Sequence, residues 1–469
     1  MDSKEFRKQA HILVDWMADY MDGGVRDYPV KTKAKLGDVR AMLPDAPPMD
    51  GEEFSKIFDD FKSIVVPNLT HWQNPRFFGY FPTGGSAPSV LAEMLASSLG
   101  VNAMMWETSP AATEMEQQVL GWLRDMCGLP ATWQGVIQDT ASAATLCALL
   151  TAREKAVDWA SNRKGLQKQA SMTVYCNAEA HSSVEKAMKI IGLGAENLKH
   201  VPILDDRSMD PTALAEMIAV DKANNLLPIA IVATVGATGT GASDHLGPIG
   251  EVAKEHGLFF HVDAAWAGSA MICPEFRGMI AGLEQADSYV FNPHKWLLTN
   301  FDCSAYFVKD PDMLIRTLAI LPEYLKNNEG SDVVNYRDWG IPLGRSFRAL
   351  KLWFVIRSYG VAGLQKIIRN HVAWGVELAK IIDKDPDFTL VTGPHLSMNT
   401  FAYTPKGMDK KAADIATKAL VETINNDGFT YVTRTVVDGR SVIRLPIGPT
   451  ATTRKDVMDS WQRIKDLAG

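Results

Sequence analysis

Between about residues 88 and 354 the chain alternates short runs rich in β-branched and aromatic residues, at 173–176, 229–234, 258–262, 288–291 and 304–308, with stretches of helical length. Such alternation is the pattern of βαβ units, and it predicts an α/β fold with a mainly parallel sheet covered by helices on both faces. Ahead of this region Phe6, Ala10, Leu13, Val14, Met17, Tyr20 and Met21 recur at three- and four-residue steps, predicting an amphipathic helix that Gly23-Gly24 terminates. That helix needs a partner surface. A Pro-rich stretch, Leu43-Pro-Asp-Ala-Pro-Pro, and an aromatic cluster, Trp72 with Phe77, Phe78, Tyr80 and Phe81, follow it. After the alternating region, a long helix around 350–358 and strands at 401–404, 431–433 and 441–445 predict a smaller α+β domain. The expected division is 1–85, an N-terminal helical segment; 86–353, a large domain; and 354–469, a small C-terminal domain.

Among the 469 residues Asp and Glu (55) outnumber Lys and Arg (48), a net charge of −7 that argues against a nucleic-acid polyanion as the main partner. The start, Met1-Asp-Ser-Lys-Glu-Phe6, lacks the basic and apolar regions of a secretion signal. The uncharged stretch 223–243 reaches membrane-spanning length, but Pro228, Gly236, Gly239 and Gly241 mark it as a buried strand and turn, so no membrane segment is expected. Five scattered cysteines without a C-x-x-C pair fit inert thiols in a reducing cytoplasm.

In an open α/β sheet ligands bind beyond the carboxyl ends of the strands. After the strand at 135–138 comes Asp139-Thr-Ala-Ser-Ala-Ala-Thr145, small and hydroxylated residues that open an apolar helix. Helix-start N–H groups and hydroxyls form an anion cup suited to one phosphate, although a plain capped helix start has the same composition. After 173–176 comes His181-Ser-Ser-Val-Glu185, in which Ser182-x-x-Glu185 reads as a capping box. The strand Leu258-Phe-Phe-His-Val-Asp263 ends in one carboxylate, whose burial demands a cation or proton donor. The strand at 288–291 runs into Asn292-Pro-His-Lys295-Trp, and a desolvated lysine there is a nucleophilic amine able to form a Schiff base.

Each residue alone has an ordinary reading: a solvated lysine, a turn-capping aspartate, a hydrogen-bonding histidine. Together, a phosphate cup, an amine, a buried carboxylate and a stacking ring at strand ends match the needs of pyridoxal phosphate. The chain lacks G-x-x-x-x-G-K-[ST], G-x-G-x-x-G after a strand, H-E-x-x-H and G-x-S-x-G. His261 and Asp263 have no third ligand at sensible spacing, so no metal site is expected.

Four blocks in order, His71-Trp72-Gln-Asn-Pro-Arg-Phe-Phe-Gly-Tyr80-Phe81-Pro82-Thr83, Ala180-His181-Ser-Ser-Val-Glu-Lys, His261-Val-Asp263-Ala-Ala265-Trp-Ala-Gly-Ser-Ala and Asn292-Pro-His294-Lys295-Trp296, resemble the pyridoxal-phosphate-dependent amino acid decarboxylases of the aromatic and histidine branch (group II). The resemblance implies the aspartate-aminotransferase-like fold (type I) and pyridoxal 5'-phosphate as cofactor. It implies that Lys295 holds the cofactor covalently, that Asp263 pairs with the ring nitrogen, and that His181 and Ala265 cover the two ring faces. Thr140, Ala141, Ser142 and Asn292 would hold the phosphate, with Thr238 and His294 close by. Tyr324, in Leu318-Ala-Ile-Leu-Pro-Glu-Tyr324, would protonate Cα, and its presence together with His181 favours simple decarboxylation over aldehyde formation.

For the substrate, Gly344 resembles the aromatic-type enzymes, whereas histidine-specific relatives tend to carry serine there. Trp72, Tyr80, Phe81 and Thr83 would line the pocket, and a neighbouring subunit would add the segment with Asn102 and Met104, a departure from the apolar residues usual in the family. The expected substrates are dopa, 5-hydroxytryptophan, tyrosine, tryptophan and phenylalanine, with an aldehyde synthase or a decarboxylase of histidine or another amino acid as the alternatives. The resemblance also implies a homodimer with sites at the interface and N-terminal helices embracing the partner.

Overall fold

The computed structural model describes residues 1–320 and 333–469. Its twelve strands are β1 (Phe77–Phe78), β2 (Gln134–Gln138), β3 (Met172–Asn177), β4 (Leu198–Val201), β5 (Leu227–Thr234), β6 (Phe259–Asp263), β7 (Ser288–Phe291), β8 (Ser304–Val308), β9 (Phe388–His395), β10 (Met398–Tyr403), β11 (Tyr431–Val437) and β12 (Arg440–Pro446). Two compact units divide the chain: residues 1–83 with 371–469, and residues 84–370.

The larger unit carries a seven-stranded sheet of order β2-β8-β7-β6-β5-β3-β4. Pairs β3–β4, β3–β5, β5–β6 and β6–β7 are parallel, while β8 runs antiparallel to both β7 and β2. This is the mainly parallel α/β sheet that the alternation predicts. The run Ile229 to Thr234 in β5 is buried throughout, as a strand covered on both faces must be. Pro228 near its start has no N–H for the ladder, and the β3–β5 register shifts there, between Thr173 and Val174. The core beneath the sheet joins Val174, Cys176, Val232 and Val290 to Ala144, Cys147 and Ala148 of the helix Ala141–Ala156, small residues that let the helix lie close to the strands.

The smaller unit has a five-stranded sheet of order β1-β11-β12-β10-β9, with β1 parallel to β11 and the other pairs antiparallel. Its core gathers Phe78, Phe388, Phe401 and Trp461, the last on the helix Arg454–Ala468. The N-terminal helix runs Ser3–Met21 with Asp2 as its cap. The long helix of the sequence reading extends over Arg348–Ile382 and is kinked at Gly360, whose φ of 64° only glycine adopts readily. No described helix is long and apolar enough to cross a membrane.

Candidate active site

Because β8 alone is reversed, the ends of β2, β3, β5, β6 and β7 and the start of β8 lie along one edge of the sheet. Register places Asp263 level with Thr234 and Val290, and Ser304 level with Gln138. This edge delivers His181 after β3, Thr238 after β5, Asp263 and Ala265 after β6, Asn292, His294 and Lys295 after β7, and Thr140 to Ser142 after β2.

Asp263 is 6% exposed and its Oδ1 accepts the Ala265 N–H at 3.0 Å. The Ala265 carbonyl accepts the Asn292 N–H at 2.9 Å, and the Asn292 carbonyl accepts the Lys295 N–H at 2.9 Å. A backbone relay thus links the carboxylate to the lysine through the short helix Pro293–Trp296. The Asn292 Oδ1 accepts from Ser304 Oγ at 2.7 Å, which turns its Nδ2 donor the other way. Ser304 Oγ also lies 3.4 Å from the Asp139 carbonyl, tying this asparagine to the helix start.

At that helix start Thr140 is the N-cap: its Oγ1 accepts the Ala143 N–H at 3.2 Å, while its own N–H donates to Asp139 Oδ1 at 2.6 Å. The Asp139 carboxylate is therefore spent on Thr140. The N–H groups of Ala141 and Ser142, donors of the first turn with no partner inside a helix, are the ones positioned for an anion.

The capping box expected at Ser182 does not form. Ser182 already has helical angles (φ −58°, ψ −11°), its side chain caps nothing, and Glu185 pairs with Lys189 one turn along. His181 takes the role instead, because its Nδ1 accepts the Ser183 N–H at 3.1 Å and lies 2.8 Å from Ser183 Oγ. An Nδ1 that accepts a backbone N–H leaves the ring proton on Nε2. Desolvation lowers the His181 pKa; Asp263 opposes that shift and the Lys295 charge adds to it, so the three groups lie within electrostatic reach. His294 is held in the same way, its Nδ1 accepting from Cys303 N at 2.9 Å, and burial with the Lys295 charge lowers its pKa to about 3.

Sequence reasoning weighed His261 only as a metal ligand. Its ring is fully buried, with Nδ1 2.9 Å from Ser288 Oγ and Nε2 3.3 Å from Thr145 Oγ1, and burial lowers its pKa to about 4. Two hydroxyls thus account for both nitrogens, and the ring pins the cup helix to β6 and β7. Also missed were Asp244, whose carboxylate accepts from Asn177 Nδ2 (2.6 Å), Met209 N (2.7 Å) and Thr234 N (2.7 Å), and Glu179, which bonds Arg207 and Thr240. They join the ends of β3 and β5, and the apolar strands before them gave no signal of it.

The remaining expected residues lie elsewhere. Trp72, Tyr80, Phe81 and Thr83 belong to the smaller unit, where Trp72 stacks on Tyr80 at 5.5 Å and packs on Phe77 at 4.5 Å. Tyr80 has φ 47°, Arg444 lies over the Phe81 ring at 4.4 Å, and Gln73 Nε2 donates to the Thr83 carbonyl at 2.8 Å. Asn102 and Met104 are in the larger unit, with the Asn102 amide 3.6 Å from the Met104 sulfur. Tyr324 lies outside the described residues.

An amine, a buried carboxylate tied by one oxygen, an imidazole and a helix start with an asparagine amide match an aldehyde, a pyridine nitrogen, a ring face and a phosphate in turn. The residues present fit pyridoxal phosphate. The conserved domain of pyridoxal-dependent decarboxylases matches residues 37–404. The chain is 40% identical to tyrosine decarboxylase 3 of Petroselinum crispum, over all of this chain (100%) and 92% of that protein. It is 38% identical to a phenylacetaldehyde synthase of Arabidopsis thaliana, covering 100% of this chain and 96% of the relative. Among solved structures, Oryza sativa tryptophan decarboxylase with PLP and tryptamine superposes with a TM-score of 0.96 at 35% identity, over 100% of this chain and 98% of that one. Fold, strand-end chemistry and likeness over the whole length agree, and the chain belongs to the pyridoxal-dependent decarboxylase family, as a carboxy-lyase that uses pyridoxal phosphate.

Proposed function

We propose that this enzyme decarboxylates an aromatic L-amino acid, releasing carbon dioxide and the corresponding arylalkylamine. The observation that carries this reading is the full-length likeness to tyrosine- and tryptophan-decarboxylating relatives at 35–40% identity. Bound pyridoxal phosphate supplies an electron sink for the pair left when the bond from Cα to the carboxylate breaks.

The chain's own residues do the rest. Lys295 would hold the cofactor covalently through its amine, at the carbon where the substrate amine is to bind. Asp263, nearly buried and with one oxygen fixed by the Ala265 N–H, would pair with the ring nitrogen. His181, with its ring proton on Nε2, would cover one face of the ring and Ala265 the other. The Ala141 and Ser142 amides, the Ser142 hydroxyl and Asn292 Nδ2 take the phosphate, framed by Thr140, Thr238 and His294. Tyr324 returns the proton to Cα. Trp72, Tyr80, Phe81 and Thr83, with Asn102 and Met104 of a second copy, receive the aromatic ring.

The same reading makes the protein a homodimer, with residues 1–85 embracing the partner ahead of a large domain (86–353) and a small one (354–469). Leu91, Leu95 and Leu99 stand 49–61% exposed along one face of the helix Ala87–Leu99, and Phe6 is 61% exposed on the first helix. A second copy is what such faces need; light scattering at micromolar concentration should give twice the chain mass, and a monomer mass contradicts it. All five cysteines are buried and free, and burial pushes the Cys127, Cys147 and Cys303 thiols up to about 12, which fits a reducing cytoplasm.

Likeness to a phenylacetaldehyde synthase makes oxidative aldehyde release the second reading. Product analysis separates them: amine equal to carbon dioxide without peroxide supports decarboxylation, and peroxide equal to carbon dioxide supports the synthase. Tyr324→Phe should then lower amine and raise aldehyde, and an unchanged amine yield contradicts the donor role of Tyr324.

A further inference from the structure

Two turns carry site residues past the ends of β3 and β5, and one carboxylate holds them together. The first, residues 177–180, closes with the Ala180 N–H on the Asn177 carbonyl at 2.9 Å and hands the chain to His181; inside it the Glu179 N–H donates to Asn177 Oδ1 at 2.7 Å. The second, residues 235–243, carries Thr238 and folds back on itself, Ala237 N donating to the Ala242 carbonyl at 2.7 Å and Gly241 N to the Ala237 carbonyl at 2.8 Å. The Glu179 carboxylate accepts from Thr240 Oγ1 of the second turn with one oxygen and from Arg207 Nε at 2.5 Å with the other. The Glu179 and Arg207 side chains are each only 15% exposed, so this is not a pair that water screens at the surface.

Arg207 reaches the carboxylate from a strained backbone. Its φ of 69° lies in the left-handed region, which is unfavourable for a residue with a Cβ. Two contacts to the 177–180 turn keep it there: its carbonyl accepts Asn177 Nδ2 at 3.1 Å and its guanidinium bonds Glu179. The same Nδ2 donates to Asp244 Oδ1 at 2.6 Å, and the buried Asp244 is fixed in turn by the Met209 and Thr234 N–H groups. Strain that the surroundings over-determine marks a geometry kept for use. His181 is the residue that depends on it. Among the described residues its side chain bonds Ser183 alone, at its own helix start, so the ring stands where the 177–180 turn puts it.

We infer that Glu179 is a positioning residue for His181: by bonding both Thr240 and Arg207 it locks the turn that leads to His181 against the turn that carries Thr238, and so fixes where the imidazole stands. This role for Glu179 rests on the covering role of His181 proposed above. Without the carboxylate, the Thr240 hydroxyl and the Arg207 guanidinium no longer meet on the His181 turn, and the left-handed Arg207 keeps one tie to it instead of two. Every group assigned to the cofactor is then still present, but the imidazole has lost its fixed place.

The test is a double-variant cycle of Glu179→Ala and His181→Ala, read in three ways: kcat with L-dopa, the dissociation constant of pyridoxal phosphate from the apoprotein, and the induced circular dichroism of the bound cofactor. The last two need no substrate, so they decide the role of Glu179 whether or not L-dopa is turned over. In the wild-type background Glu179→Ala should lower kcat by about tenfold, the scale of a small misplacement at a reacting centre, weaken cofactor binding and change the dichroic band. In the His181→Ala background it should change kcat and the dissociation constant by less than about twofold, because it acts through a ring already removed. Glu179→Gln, which keeps one acceptor oxygen, should fall between wild type and Glu179→Ala. If Glu179→Ala does not fold, Thr240→Val takes its place in the cycle, since it removes the bond between the turns and leaves the pair with Arg207. Equal losses in the two backgrounds show a general structural role and overturn the inference, as do wild-type kcat, affinity and dichroism in Glu179→Ala beside a defective His181→Ala. Wild-type values of all three in His181→Ala contradict the role of His181 itself and remove that of Glu179 with it.

Discussion

The Ser183 backbone N–H donates to His181 Nδ1 at 3.1 Å, so the start of a helix fixes the tautomer of a ring in the active site. With Nδ1 occupied and the pKa lowered by desolvation, His181 is neutral at pH 7 and carries its proton on Nε2. His181→Phe keeps a stacking ring and removes that donor. The expected result is a fall in kcat of about 100-fold or more with cofactor absorbance retained, and steady-state kinetics beside a visible spectrum of the variant check it.

Asp263→Asn preserves shape and removes the charge. The Ala265 N–H still has an oxygen to bond, so the fold should hold, while under the proposed role the ring nitrogen would lose its anionic partner. Turnover should fall by about a thousandfold, the scale of one preorganised electrostatic partner. Titration of the apoprotein with pyridoxal phosphate followed by a decarboxylation assay separates lost binding from lost chemistry; wild-type kcat in a loaded Asp263→Asn contradicts the assignment.

His261 predicts a pH dependence of stability. Its folded pKa of about 4 lies below the ordinary value of 6.5, so as pH falls through that window the unfolded chain takes up a proton that the folded one refuses. The stability of the neutral buried ring is fully present above pH 6.5 and is lost toward pH 4. Between pH 7 and pH 5 this residue alone removes about 2 kcal/mol. Urea unfolding of the apoprotein at the two pH values should show a smaller loss in His261→Gln than in wild type, and an identical loss contradicts a buried neutral ring.

Gly268 sits where the turn after β6 crosses β7. A Cβ there would lie 2.3 Å from the Phe291 Cβ and 2.6 Å from the Tyr289 hydroxyl. Gly268→Ala should destabilise by about 3 kcal/mol through overpacking. By contrast Gly121→Ala, in the middle of the helix Pro110–Cys127 with nothing within 4 Å, should gain up to about 1 kcal/mol from helix propensity. Chemical denaturation of the two variants beside wild type measures both.

The sheet was legible where strands are continuous apolar runs: β7 and β8 fall on residues 288–291 and 304–308 as expected. Strands β1, with two residues, and β9, interrupted by Gly393-Pro394, carry no such run and were missed. Single polar residues closing apolar strands, Asp263 above all, stood out because burial there needs a reason. Ser304 did not, since its place at the site depends on β8 running against its neighbours, which spacing alone does not specify. The motif Ser182-x-x-Glu185 matched a capping box in letters, yet an imidazole one residue earlier reached the amide first.

The central claim, pyridoxal-phosphate-dependent decarboxylation of an aromatic amino acid at Lys295, is tested most directly by the near-ultraviolet and visible spectrum of the purified protein before and after L-dopa, with carbon dioxide and amine counted in the same sample. A visible cofactor band that changes with L-dopa, equal amounts of carbon dioxide and amine, and loss of both band and products in Lys295→Ala are the predicted results. A protein that shows no band after pyridoxal phosphate is added, or a Lys295→Ala variant that still turns over, contradicts the account.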